Sequence, residues 1–72
     1  MLHKESKSDR NKRFARIWSL SRSDAGKTQE FMANGLGVSK KTIQNWEKGA
    51  SAPDLYEGSE WFRVLGTNPM PY

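Results

Sequence analysis

Apolar residues along the chain fall into short helically spaced groups separated by glycine, serine and proline. Phe14, Ile17 and Trp18 stand at i, i+3 and i+4, which predicts a helix from Asp9 to near Leu20 with arginine and lysine on its other face. The turn-rich stretch from Ser21 to Gly26 ends it. Before Asp9 the chain is polar and aperiodic, and residues 1–8 read as a flexible basic arm. Thr28 suits the N-cap of a second helix, with Gln29 and Glu30 in its first turn and Met32, Ala33 and Leu36 facing inward. Gly35 and Gly37 bracket Leu36, and glycine favours the left-handed conformation that ends helices.

The third helix carries the best local signature. Ser39 caps it, Val38 and Ile43 form a hydrophobic staple, and Gly49 stops it with Pro53 just beyond. Ile43 and Trp46 point inward. Lys40, Lys41, Gln44, Asn45 and Lys48 are left outside as one polar face without a carboxylate. Pro53 fits the first position of a fourth helix, where Leu55, Phe62 and Leu65 recur with Trp61 and Val64 alongside. Gly58 weakens that helix by up to about 1 kcal/mol relative to alanine. Gly66 ends it, and the prolines at 69 and 71 keep residues 67–72 as a non-helical tail. The pattern predicts one all-α, four-helix domain over residues 9–66, with a helix-turn-helix core at 28–49. It shows no repeat, no strand-like alternation and no second domain.

Length and composition sharpen this picture. A chain of 72 residues buries only about 60% of its unfolded surface, so the core is marginal. With no cysteine, neither a disulfide framework nor a thiolate zinc site supports it. Large aromatic side chains must do so instead. No apolar run nears the roughly 20 residues that span a bilayer, and the N-terminus lacks the pattern of a signal peptide. The expected location is the cytoplasm, at the nucleoid. The net charge is +4, and it is unevenly spread. Lys4, Lys7, Arg10, Lys12, Arg13 and Arg16 outnumber Glu5 and Asp9, whereas beyond Ala52 only Arg63 stands against Asp54, Glu57 and Glu60. Such a gradient suits a polyanion approached from one side.

A short helix, a glycine-containing turn and a short capped helix form the spacing that lets the second helix protrude. The residues Thr28-Gln29-Glu30-Phe31-Met32-Ala33, then Leu36-Gly37-Val38-Ser39, then Thr42 to Gly49 resemble the helix-turn-helix of the phage repressor and Cro family. The Gly-x-x-x-Pro from Gly49 to Pro53 also looks like that family. The resemblance extends from Phe14 to Gly66 and is tightest from Thr28 to Gly49. It implies a lambda-repressor-like fold of four to five helices and a sequence-specific transcriptional regulator, a repressor by first reading. Its partner is double-stranded DNA. The helix at 39–48 would read the major groove, with Lys40, Lys41, Gln44 and Asn45 against base edges. Gln29 matches the family position that meets a phosphate at a helix N-terminus. Ser39, Thr42, Lys48, Ser51 and Lys27 are further expected phosphate contacts. From the arm, Lys4, Lys7, Arg10 and Lys12 would follow the backbone or enter a minor groove. Family repressors usually carry a fifth helix that packs two subunits together. This chain ends too soon for a full one, which leaves a homodimer through the fourth helix and the tail.

Ala33, Gly37, Ile43 and Trp46 read as scaffold. An enzyme is not expected: the lone histidine, His3, falls in the arm, and the spacing of Gly35 and Gly37 makes no nucleotide-binding loop. No metal, cofactor, small-molecule substrate or membrane contact is expected, since Asp54, Glu57 and Glu60 share a helix face with no histidine to join them. The competing class is a protein-interaction module such as an antitoxin or adaptor built on the same fold. In that case Trp61, Phe62, Met70 and Tyr72 would form an exposed apolar patch.

Overall fold

The computed structural model describes residues 6–66. They form four helices: α1 (Lys7–Asp24), α2 (Gln29–Leu36), α3 (Lys40–Lys48) and α4 (Leu55–Leu65). Sequence-local chemistry explains every helix start. The side chains of Ser6, Thr28, Ser39 and Asp54 each accept a hydrogen bond from the backbone N–H three residues on, satisfying a donor that the helix leaves unpaired. Asp54 and Glu57 close a full capping box. Consequently α4 begins at Leu55, and Pro53 lies one residue before the cap instead of opening the helix as expected.

Helix α1 is longer than the pattern predicts, from Lys7 to Asp24 instead of Asp9 to Leu20, because the Ser6 cap moves its start back and tertiary partners carry its end forward. The turn-prone residues at its end are tied down individually. Ser21 Oγ donates to the Trp18 carbonyl (3.1 Å) and Arg22 is held by Glu47 across the bundle. The inward face of α1 also differs from the predicted stripe. Ala15 is buried and Trp18 half-buried, while Phe14 and Ile17 are 41% and 44% exposed. Likewise in α4 the buried residues are Trp61 and Leu65, and Leu55 is 89% exposed. Gly35 lies inside α2, not at its end; a methyl group there would meet a Val64 methyl at 2.6 Å, so its small size lets α4 approach.

The core sits where α2, α3 and α4 meet, built from Met32, Ala33, Ile43, Trp46, Trp61 and Leu65. Trp18, Leu36, Val38, Phe62 and Val64 pack around it. Trp61 is its hub, fully buried, with ring centroids 5.5 Å from Trp18 and 6.1 Å from Trp46. Its indole N–H donates to Ser21 Oγ at 2.9 Å, so the polar end of a large apolar side chain is satisfied. Full burial of side chains such as Met32 and Ile43 stabilises the fold by about 1.5–3 kcal/mol each. The expected apolar patch of Trp61 and Phe62 does not exist as such: Trp61 is interior and Phe62 half-buried. Met70 and Tyr72 lie outside the described residues.

Candidate nucleic-acid interface

Two buried side chains orient α3. Ile43 is fully buried and Trp46 3% exposed, and they fix the rotation of the helix about its axis. At its start Ser39 Oγ accepts from the Thr42 N–H (3.1 Å) and lies 2.9 Å from Thr42 Oγ1. At its end Gly49 takes φ 82° and its N–H returns to Asn45 and Trp46 carbonyls. Val38, just before the cap, packs on the cluster that contains Ile43, as a staple does.

A third anchor escaped the sequence reading. Glu47 follows Trp46 and lies one turn beyond Ile43, so it sits beside the inward face of α3 with only 7% of its side chain exposed. Arg22 at the end of α1 meets it with two hydrogen bonds, Nε to Oε2 at 2.6 Å and Nη2 to Oε1 at 3.0 Å. The remaining arm of the guanidinium, Nη1, donates to the Lys27 carbonyl at 2.8 Å. Gln29 Nε2 donates to Glu47 Oε1 at 3.1 Å. One carboxylate thereby ties α1, the α1–α2 loop, α2 and α3 together. Hydrogen bonding to Glu47 raises the Arg22 guanidinium above its ordinary range, which keeps it charged at any working pH. The signal was available: a carboxylate beside two buried apolar residues demands a cation.

Around the solvent side of α3, Lys40, Lys41 and Lys48 are exposed, with Gln44, Asn45 and Thr42 half-buried. Lys41, Gln44, Asn45 and Lys48 point away from Ile43, and Lys40 stands at the edge toward Arg22 and Gln29. Gln29 is half-buried and committed to Glu47 through one amide N–H. Lys27 Nζ lies 4.8 Å from the Phe31 ring centroid. Around the start of α2, Arg22, Lys27, Thr28, Gln29, Glu30 and Lys40 line a polar cleft, so one exposed carboxylate stands among its cations. Ser51 is half-buried in the loop that follows α3. Of the basic residues assigned to the arm, Lys7, Arg10 and Lys12 belong to α1, and Lys4 falls outside the described residues. Among the described residues no group of acids and histidines could hold a metal ion, and no helix is long and apolar enough to cross a membrane.

The pair α2–α3 is joined through left-handed Gly37, and α3 presents a face without a carboxylate. The helix-turn-helix family matches residues 22–70. This chain belongs to the helix-turn-helix family of the Cro and phage-repressor type. Members of this helix-turn-helix family are DNA-binding regulators, and the four-helix, all-α architecture agrees with their fold. Comparison with curated proteins and with solved structures gives no match.

Proposed function

We propose that this helix-turn-helix protein is a sequence-specific transcriptional repressor that acts by occupying its operator. Lys40 and Lys41 donate to guanine O6 and N7, while Gln44 and Asn45 pair with adenine edges in the major groove. The observation that carries this reading is the outward face of α3, three exposed lysines and two amides without a carboxylate, held in place by Ile43, Trp46 and Glu47. Phosphates on the flanking backbone are met by Gln29, Lys27, Ser39, Thr42, Lys48 and Ser51, which set register without reading sequence. Two copies bind a two-fold operator whose half-sites lie about one helical turn apart. In such a pair the exposed Leu55 and Tyr56 of α4, not the interior Trp61, are available for contact.

Selection of bound sequences from a random DNA pool tests the reading directly. The expected result is a short enriched motif, present as an inverted repeat. Binding to that motif should weaken at least tenfold between 50 and 200 mM salt, as expected when several phosphates are neutralised. Recovery of no enriched motif would overturn the reading in favour of a protein-interaction module, whose apolar contact is insensitive to salt.

A further inference from the structure

We propose that the cleft between the first two turns of α1 and the loop after α3 is a built DNA-phosphate site, in which Lys7 and Asn11 of α1 join Ser51 on one phosphate. The proposal rests on the operator reading above and adds to it a contact from a helix outside the helix-turn-helix pair. The cleft is lined by Lys7, Asn11, Ala50, Ser51 and Ala52.

The unexpected length of α1 creates it. Lys7 and Asn11 stand one turn apart and continue the stripe of Ala15 and Trp18, the inward side of α1. Because the core is built lower down, at the level of Trp18, this stripe runs past the core and overhangs the loop that leaves α3. That loop is pressed close: Gly49 is buried, and a Cβ on it would lie 2.7 Å from the Lys12 Cα. The backbone of α1 and residues 49–52 are thus held in fixed relation, with side chains from two elements converging on one space.

The chemistry of that space is donor-rich. An ammonium, a carboxamide and a hydroxyl all donate to phosphate oxygens, and the small side chains of Ala50 and Ala52 leave room for a tetrahedral group. Lys12 and Lys48 stand close by in the chain, extending the positive field. Asp9 is two residues from both Lys7 and Asn11 and so projects from the opposite side of the helix. Glu47 is turned inward and neutralised by Arg22.

Placement then selects a nucleic-acid backbone as the ligand. The cleft lies at the C-terminal end of α3, and the cleft of Arg22, Lys27, Thr28, Gln29 and Lys40, with Glu30 also in its lining, lies at its N-terminal end. A helix of 9 residues is about 13 Å long, close to the roughly 12 Å width of the major groove. The two clefts bracket α3 as the two sugar-phosphate strands bracket that groove.

The test uses the full chain and the motif recovered by selection. Lys7→Gln should lower affinity severalfold for every sequence alike and reduce the slope of log affinity against log salt by about one. Asn11→Ala and Ser51→Ala should lower affinity equally for all sequences with the slope unchanged. Arg16→Gln removes the same charge from the opposite side of α1 and should leave the slope near the wild-type value. Replacing backbone phosphates one at a time by neutral methylphosphonates should reveal one position whose cost to the wild type disappears in Lys7→Gln. Equal slopes for Lys7→Gln and Arg16→Gln, or a methylphosphonate profile that Lys7→Gln leaves unchanged, would overturn this site while the operator reading stands. A wild-type chain without sequence preference would overturn the operator reading, and the site with it. Thermal melts of the variants, expected to match the wild type because Lys7 is exposed, separate a lost contact from a lost fold.

Discussion

Gly37 and Gly49 share the left-handed region, at φ 71° and 82°, yet their surroundings differ. Nothing lies within 4 Å of a Cβ built on Gly37, whereas one on Gly49 meets the backbone of Lys12. Gly37→Ala should therefore cost only the conformational penalty, about 1–2 kcal/mol. Gly49→Ala should cost about 3 kcal/mol or more, because overpacking adds to that penalty. Urea denaturation of the two variants checks the order, and equal losses would show that α1 yields where it meets the loop. Both glycines were legible as helix ends from sequence, but the close approach of α1 was not, since a residue 37 positions away causes it. For base reading, Lys41→Ala and Gln44→Ala are expected to relax preference at individual base pairs by about 1–3 kcal/mol, and Lys48→Ala to weaken all sequences alike. Repeating the random-pool selection with each variant shows which of the three loses motif information.

At the scale of elements, α2 and α3 were read almost to the residue because their boundaries are set locally, by Thr28, Gly37, Ser39 and Gly49. The faces of α1 and α4 were misread because burial there depends on neighbours: Phe14, Ile17 and Leu55 are apolar yet exposed, while Ala15 and Trp61 are interior. The helical end of α1 was hidden for the same reason, since Ser21 and Arg22 look turn-forming until Trp61 and Glu47 are beside them. Removing the carboxylate from that joint should be costly. Glu47→Ala leaves the Arg22 guanidinium, 19% exposed, without its counter-charge, and a loss of about 3 kcal/mol is expected. A double-mutant cycle with Arg22→Met should return a large coupling between the two positions, and additive losses would show that the joint does not act as a pair. On the surface of α4, Arg63 donates to Glu60 (Nε to Oε2, 2.9 Å) and holds its carboxyl below the usual range. That contribution is present above the ordinary carboxylate pKa and lost as pH falls through the depressed one. Glu60→Gln should therefore flatten the acid limb of a stability–pH curve, slightly and only at low salt because the pair faces solvent.

For the whole molecule, the net charge of +4 is arranged so that α1 and the outer side of α3 are basic while α4 carries Glu57 and Glu60. This asymmetry was legible from sequence, and it predicts which side approaches DNA. It does not by itself locate contacts, because only the fold brings Lys7 beside Ser51. The indoles of Trp18, Trp46 and Trp61 touch in a chain that runs from α1 through α4 to α3. Each of the helices they join bears on the interface or its support, so the protein contains its own optical gauge. Excitation energy shared among the rings makes intrinsic fluorescence sensitive to any tilt of α3 against the bundle. Melting of an unlabelled sample should therefore read out as a red shift of tryptophan emission, and any tilt of α3 on docking as a change in its intensity.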